Sequence, residues 1–304
     1  MKLNELNEQF AISGSVGNAS VGNGSVEFAE GANGFIKAAL KHKNGSTLEV
    51  YMYGAHITSW TKPGFGELMF LSKTAEFSKG KGIRGGIPVI FPQFGNGDLP
   101  AHGFSRNRDW SCLSSKVLDN GDIKLNLVLS DNEETKAIWD FKFRFELEIL
   151  LSDTLITKIT VRNEDTKLLS FQQALHTYFK VGNIAETEVV GLQGLTYIDK
   201  VNGNQETVEK SLNLSFTTAF DRVYQKSPSK LLILDKKLKR TITIEKENMT
   251  DSVLWNPWEG AKNMKDMHED AYLEMICVES ANVIPKIVLQ AGQSHSSSQT
   301  ISVN

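Results

Sequence analysis

The sequence predicts an all-β protein, built as a large antiparallel β-sandwich. The first observation is the strict alternation of apolar and charged residues from Phe141 to Ile149, which is typical of a strand with one buried face. The second is that short runs of this kind recur along the chain, separated by clusters of Asn, Gly and Asp. The third is that helical periodicity is weak. Many short strands without intervening helices favour a sandwich over alternating β-α units.

The strands are predicted from this alternation and from the turn residues between them. The run from Phe141 to Ile149 is followed by a turn signal at 152–154 and then by Leu155 to Val161, so the two runs form a predicted hairpin. Other predicted strands cover 35–42, 47–54, 122–130, 231–235, 241–247, 271–279, 286–291 and 299–303.

Three segments depart from the strand pattern. Residues 130–139 predict a helix of one or two turns, with Asp131 or Asn132 as its N-cap. The basic run from Asp235 to Arg240 predicts a solvated hairpin tip, with a docking patch as the alternative. The Gly/Ser-rich stretch 13–28 allows either an edge strand or a loosely structured start. Without a linker or an internal repeat, we expect one domain over 1–304, whose first thirty residues are less typical.

Bulk properties narrow the class of protein. A net charge of -3 disfavours a nucleic-acid-binding protein, which normally carries a basic excess. No apolar run approaches the roughly 18 residues that cross a bilayer, and charges stand where a signal peptide needs its apolar segment. Cys112 and Cys277 lack metal-type spacing, so free thiols in a reducing cytosol are the simpler interpretation and a long-range disulfide is the alternative. We therefore expect a cytoplasmic protein without nucleic-acid or membrane partners, and a monomer.

Cations and glycines are concentrated between residues 82 and 108. Arg84 lies between Gly82 and a Gly-Gly pair, and Arg106 follows His102 by four residues. Glycines allow a ligand to approach the backbone, and a guanidinium group matches the geometry of phosphate or carboxylate. This pattern allows an anion site, but on composition alone the simpler interpretation is that Arg84, Arg106 and Arg108 are ordinary surface or ion-paired residues.

Two further residues could transfer protons. His176 lies among aromatic residues in a strand-like stretch, where a core position and a cleft position are both open, and its ordinary pKa suits proton transfer. Glu279 follows an apolar run, so it either emerges at a strand end or is buried with a task or a partner. Asp221 and Arg222 are neighbours that face opposite sides of a strand. The segment from Trp255 to Trp258 could form a sugar-stacking platform, a core element or a rigid turn.

Seven motifs follow one another along the chain: GAHITSW at 54–60, IRGGIPVIFPQFG at 83–95, HGFSRNRDW at 102–110, LHTYF at 175–179, FDRVY at 220–224, VLWNPW at 253–258 and CVESANV at 277–283. In this order they resemble the glucose-6-phosphate 1-epimerase family. That family is the hexose-6-phosphate mutarotase branch of the aldose 1-epimerase-like proteins. The resemblance extends from about Phe35 to the C-terminus.

The resemblance implies the galactose mutarotase-like supersandwich and an isomerase that interconverts the α and β anomers of a hexose 6-phosphate, with no metal or cofactor. It also implies site residues, each carried over by its motif: His176 as the acid, Glu279 as the base, His102 as a second histidine at the sugar ring, Asp221 as a partner of sugar hydroxyls, and Arg84 and Arg106 as phosphate-facing cations. One position departs from the family, because Ala101 stands where relatives often have glutamine.

The implied reaction leads to an expectation about charge. Glu279 should be ionised and His176 protonated, because neighbouring opposite charges favour each other's charged form. The alternatives are a neutral-aldose 1-epimerase, which would not need the arginine pair, and a sugar-phosphate-binding protein without catalysis. A structural interaction module ranks last, because it would leave the polar cluster without a purpose.

Overall fold

A computed structural model describes residues 1–13 and 24–304, and strands are the main regular secondary structure of this part of the chain. In chain order the strands are β1 Ser25–Glu30, β2 Ile36–Lys41, β3 Thr47–Tyr51, β4 His56–Lys62, β5 Gly66–Glu67, β6 Val89–Ile90, β7 Ser111–Val117, β8 Ile123–Ser130, β9 Phe143–Leu151, β10 Leu155–Asn163, β11 Leu169–Leu175, β12 Tyr178–Lys180, β13 Thr187–Val190, β14 Thr196–Asp199, β15 Gln205–Val208, β16 Asn213–Ser215, β17 Phe220–Tyr224, β18 Lys230–Asp235, β19 Arg240–Glu247, β20 Asp251–Asn256, β21 Met275–Leu289 and β22 Ser294–Val303.

Helices are short and few in the described ranges. The α-helices are α1 Leu3–Phe10 and α2 Glu133–Ile138, and the 3-10 helical turns are Ala32–Gly34, Ser105–Asn107, Ile184–Glu186, Trp258–Asn263 and Ala271–Glu274. Asn132 caps α2 by accepting a hydrogen bond from the Thr135 N–H, which confirms the predicted helix and selects Asn132 as its cap.

The strands assemble into three antiparallel sheets, which confirms the predicted all-β sandwich class. A five-stranded sheet has the order β1-β2-β3-β4-β5, and a nine-stranded sheet has the order β16-β13-β18-β19-β22-β10-β9-β8-β7. An eight-stranded sheet has the order β15-β14-β17-β20-β21-β11-β6, with β12 also paired to β21. The predicted hairpin is present, since β9 and β10 pair with Leu151 opposite Leu155.

Some elements differ from the sequence prediction. The predicted strand at 271–279 begins as a 3-10 turn and becomes a strand only at Met275, from which β21 continues through the segment predicted as a separate strand at 286–291. Helix α1 was not predicted, although its apolar residues follow helical spacing and Leu6 is buried.

The basic run from Asp235 to Arg240 and the Gly/Ser-rich stretch 13–28 are the two other segments that depart from the strand pattern. A turn at 236–239 joins β18 and β19, as predicted for a hairpin tip, but the flanking Asp235 and Arg240 are buried and their side chains approach to 3.3 Å. Residues 14–23 of the Gly/Ser-rich stretch lie outside the described residues. The stretch then continues into β1, an edge strand of the five-stranded sheet.

The eight-stranded sheet has two different faces. Along β20 and β21, Leu254, Ile276 and Val278 point inward and join the main hydrophobic cluster, which includes the inner side chains of the nine-stranded sheet. The alternate residues, such as Val253 and Glu279, point to the opposite, outer face. Apolar residues on the outer face form two small clusters instead of joining the main core. The outer face is therefore separate from the main core.

In the ranges that the structure describes, no helix is both long and apolar enough to span a bilayer. Cys112 and Cys277 are both buried free thiols and do not form the long-range disulfide that was the alternative.

Candidate active site

His176, in the break between β11 and β12, lies against Glu279 of β21 on the outer face of the eight-stranded sheet. Strand β21 pairs with β11 so that Ser280 lies opposite Leu175, and with β12 so that Cys277 lies opposite Tyr178. This register sets His176 opposite Glu279, and side chains directly opposite each other interact. The His176 Nε2 atom lies 3.3 Å from the Glu279 Oε1 atom.

Glu279 is in the middle of β21 and only 2% exposed, so it does not emerge at a strand end. Its Oε2 atom is buried and has no hydrogen-bond partner among residues 1–13 and 24–304. Burial raises the pKa of Glu279 well above its ordinary value, and the charge of Asp221 adds to this effect. The charges of Lys200 and Arg106 oppose it. Burial therefore favours the protonated form of Glu279 more than it would for an exposed glutamate.

The pKa of His176 is shifted in the opposite direction to that of Glu279. Burial lowers the pKa of His176 well below its ordinary value, and repulsion from His102, Arg106 and Arg84 lowers it further. Both shifts run opposite to the direction expected for an ionised Glu279 beside a protonated His176, because desolvation penalises both charges.

Aromatic contacts fix the orientation of the His176 ring. The ring stacks on Tyr178 at a centroid distance of 4.8 Å and an interplanar angle of 12°. Trp255 meets it edge-on at 6.4 Å, and His102 does so at 5.5 Å. Tyr178 follows His176 by two residues and therefore lies on the same face of the strand. This spacing could have identified Tyr178 as a site residue from the sequence.

His102 is held in the neutral form beside this pair. Its backbone φ is 63°, and its N–H donates to the Gly95 carbonyl at 2.9 Å. The Nδ1 atom accepts the Gly95 N–H at 3.4 Å, which leaves Nε2 as the protonated nitrogen and a hydrogen-bond donor. Burial and the nearby cations Arg106, Lys200 and Arg84 lower the pKa of His102 to about 3.

Arg84 connects this aromatic group to a cationic cleft. Its Nη1 donates to the Tyr178 hydroxyl at 3.0 Å, and its Nε donates to Asp266 Oδ2 at 3.1 Å. The guanidinium group is thus ion-paired, as one interpretation of the sequence allowed, yet it also lines an open cleft. Asp266 comes from the loop after β20, and no local pattern in the sequence indicated its role.

Arg106 lies across the same cleft from Arg84. Its Nη2 donates to the Ala101 carbonyl at 3.1 Å, whereas its buried Nε has no partner within the described chain. A Cβ at Gly82 would come within 3.2 Å of the Arg106 guanidinium, so the glycine makes room for this cation. Arg108 instead pairs with Glu134 at 3.6 Å.

The cleft has a volume of about 350 Å³, and its lining includes Lys81, Arg84, Arg106, Tyr178, Lys265 and Asp266.

The opposite end of the site is formed by β17 and the turn after β14. Asp221 pairs with Trp255, which pairs with Cys277, so all three share the face that carries Glu279. Burial raises the pKa of Asp221, while the charge of Lys200 lowers it. Lys200 was not predicted as a site residue, because it lies in a turn without a motif.

The Trp255–Trp258 segment does not form one stacking platform. Trp255 contacts the His176 ring and lies under the Arg84 guanidinium at 6.0 Å, whereas Trp258 packs against Tyr272. Among residues 1–13 and 24–304, no group of three or more His, Cys, Asp or Glu side chains could hold a metal ion. The site therefore offers a proton-transfer pair, with a cationic cleft on one side and a carboxylate and a lysine on the other.

Known proteins are similar to this chain in sequence and in fold. A family model described as aldose 1-epimerase matches residues 37–302. A "Putative glucose-6-phosphate 1-epimerase" of Cenchrus ciliaris is 38% identical over 277 residues, which cover 88% of this chain and 84% of that protein. A protein of the same name from Escherichia coli K12 is 37% identical over 234 residues, covering 76% and 78%. The crystal structure of a "putative mutarotase" from Salmonella typhimurium has a TM-score of 0.84 at 28% identity and covers 99% of this chain and 98% of its own.

Proposed function

The chain belongs to the aldose 1-epimerase family, and we propose that it interconverts the α and β anomers of hexose 6-phosphates, with D-glucose 6-phosphate as the main substrate. The observation that carries the proposal is the His176–Glu279 pair, 3.3 Å apart, beside a cleft lined by Arg84 and Arg106. The pair supplies an acid and a base, and the cleft supplies a site for a phosphate group.

The order of the groups along the site matches the order of atoms in the substrate. A phosphate on C6 would bind Arg84 and Arg106. The ring oxygen O5 is two bonds from C6, so it would reach His176, and O1 on the next carbon would reach Glu279. Hydroxyl groups at the far side of the ring would meet Asp221. Binding the phosphate thus orients the reacting end of the sugar.

The proposed reaction opens and closes the sugar ring. Glu279 takes the proton of the O1 hydroxyl while His176 gives a proton to O5. The C1–O5 bond breaks, and C1 and O1 become an aldehyde. Rotation about C1–C2 presents the other carbonyl face, and the reverse transfers close the ring to the other anomer. Both residues return to their starting states.

The pKa shifts of the pair favour the transfer step. A carboxylate with a raised pKa is a stronger base, and an imidazolium with a lowered pKa is a stronger acid. Ring opening converts the ionic pair into the neutral pair that burial favours. The cost is that the ionic pair must first form, by movement of one proton from Glu279 to His176 over their 3.3 Å contact.

The substrate phosphate would help to form the ionic pair. Arg84 and Arg106 are among the charges that lower the pKa of His176. A dianion between these arginines would offset their repulsion and raise the His176 pKa, so that His176 takes up the proton more readily. A neutral hexose would lack this effect as well as the binding energy of the phosphate.

The test is anomer-exchange NMR on equilibrated glucose 6-phosphate, with free glucose and galactose in parallel. We expect faster exchange for the phosphate ester and little change for the neutral sugars. Addition of inorganic phosphate to glucose should partly restore exchange, if the anion acts through the arginines.

The other outcomes would point to different functions. Acceleration of the neutral sugars alone would identify a neutral-aldose 1-epimerase. Binding of glucose 6-phosphate without faster exchange of any sugar would identify a sugar-phosphate-binding protein. All the proposed groups come from one chain, so a monomer suffices for the reaction, and two free buried thiols support a reducing, cytoplasmic location.

A further inference from the structure

The positively charged side chain of Lys200 lies at the end of the site away from the arginines, and the proposed reaction gives it no role. It lies in the turn between β14 and β15, where its N–H donates to the Asp221 carbonyl at 2.9 Å. Its ammonium group lies 5.0 Å from the centroid of the Phe94 ring, and that ring meets His102 edge-on at 5.0 Å. The backbone contact and the aromatic contact together hold the lysine at the sugar pocket.

The ammonium group is available to a ligand. Lys200 is partly exposed and forms no ion pair with the described part of the chain. Its charge nevertheless acts on both nearby carboxyl groups, because it lowers the pKa of Asp221 and of Glu279. The ammonium group therefore influences both carboxyl groups without forming an ion pair with either one within the described residues.

Lys200 and Arg84 lie on different sides of β21. The Lys200 N–H donates to Asp221 of β17, which is on the β20 side of β21, whereas Arg84 donates to the hydroxyl group of Tyr178 on β12, which pairs with the other edge of β21. The cations thus lie at two ends of the site. One end is available to the phosphate, and the other end must face the part of the sugar farthest from it.

We propose that the Lys200 ammonium group donates a hydrogen bond to the C2 hydroxyl of the substrate and, with Asp221 as the acceptor, selects the configuration at C2. This inference rests on the proposed function and on the geometry of a six-membered ring. C2 lies across the ring from C5, which carries the phosphate arm, so a sugar anchored at the arginines presents C2 at the opposite end. C2 is also next to C1, where Glu279 would act.

The test compares three substrates with three variants by anomer-exchange NMR. The substrates are glucose 6-phosphate, its C2 epimer mannose 6-phosphate, and 2-deoxyglucose 6-phosphate. The variants are Lys200→Met, Lys200→Arg and, as a control for lost surface charge, Lys210→Met. Lys210 is exposed, on the far side of β15. Thermal unfolding verifies that each variant is folded.

A hydrogen bond to a charged donor predicts that Lys200→Met raises the KM for glucose 6-phosphate about tenfold. The KM for 2-deoxyglucose 6-phosphate should stay nearly unchanged, because the contact is already missing in that substrate. The ratio of kcat/KM between glucose and mannose 6-phosphates should move towards one. Lys200→Arg should retain most of the preference, and Lys210→Met should behave as the wild type.

Two results would overturn the assignment. One is an equal change for the 2-hydroxy and 2-deoxy substrates, which would mean that Lys200 acts only through its field on Glu279. The other is no change for either substrate. Failure of the proposed function is distinguishable, because wild-type protein would then bind the sugar phosphates without accelerating exchange. The same comparison can in that case be made with dissociation constants.

Discussion

The two faces of β21 perform different tasks with alternate residues of one strand. On the inner face Ile276 and Val278 are fully buried in the main core. On the outer face Glu279 is equally inaccessible but keeps an unpartnered oxygen within the described chain. Burial is therefore the same on both faces, and its consequence is opposite. It stabilises the apolar side chains, whereas it raises the pKa of the carboxyl group and costs stability when that group is ionised.

The largest expected effect comes from removing the outer-face carboxyl group. Glu279→Gln should lower the exchange rate of glucose 6-phosphate by about 10²- to 10⁴-fold, because the amide cannot accept the O1 proton. Affinity for the sugar phosphate should be retained, since the arginines are intact. Exchange NMR and calorimetric titration measure the two quantities. Retained exchange would exclude Glu279 as the base.

The same variant should also be more stable than the wild type at pH 8. The pKa of Glu279 is raised in the folded state, so its contribution to stability falls as pH rises from the unfolded pKa through the folded one. Glu209 is a matched control because it is buried against Arg222 and its pKa is lowered. The ionised Glu209 stabilises the folded state at every pH above the pKa that this group has in the unfolded chain. Glu209→Gln should therefore be less stable than the wild type at pH 8. Thermal melts of both variants at pH 8 show whether each one is more or less stable than the wild type.

A substitution on the inner face should lower the stability of the protein and leave its activity unchanged. Leu254→Ala removes a fully buried side chain next to Trp255 and should lower the free energy of unfolding by about 2–5 kcal/mol. Exchange activity per folded molecule should remain close to that of the wild type. Urea unfolding and exchange NMR at a temperature where the variant is folded measure both. A large loss of specific activity would mean that the two faces are coupled.

A smaller effect is expected at the phosphate end. Arg106→Met should raise the KM for glucose 6-phosphate about 10- to 100-fold, because it removes a charge-assisted contact to the phosphate. Arg108→Met is a matched control, since Arg108 pairs with Glu134. Exchange rates over a range of substrate concentration separate KM from kcat. Equal behaviour of the two variants would contradict the phosphate assignment.

The smallest effect is expected from Tyr178→Phe. The ring remains to stack on His176, and only the hydroxyl group that accepts the Arg84 hydrogen bond is lost. Loss of one hydrogen bond to a charged group predicts a decrease of about tenfold or less in kcat/KM. Tyr178→Ala, which also removes the stacking, should lower it further. If the two variants are equal, the ring contact does not orient His176.

Much of the fold could be predicted from local patterns, although not every boundary. The period-two alternation and the turn residues identified β9 and β10, each with one buried face, and seven further strands: β2, β3, β8, β18, β19, β21 and β22. The 3-10 turn at Ala271–Glu274 was mistaken for a strand, since its apolar residues pack on neighbouring turns and not in a ladder. The buried Asp235–Arg240 pair was mistaken for part of a solvated tip, because charge composition does not show which charges are paired.

The candidate site was identified partly by residue type and mainly by resemblance. The family assignment is confirmed by the match over residues 37–302, whereas the roles of the individual residues stay predictions. Local patterns left His176 and Glu279 ambiguous between core and cleft positions. They did not indicate Lys200 or Asp266, because each lies in a segment without periodicity and is brought to the site by the packing of other elements.

The sequence by itself determined which residues alternate, where turns interrupt them and which chemical groups are present. Only the tertiary structure decided that Leu175 and Tyr178 lie opposite Ser280 and Cys277, and this register places His176 against Glu279. The physical reason is that alternation specifies a face of a strand but not its neighbour. Contacts between residues a hundred positions apart, and the desolvation that shifts their pKa values, arise only when the strands pair.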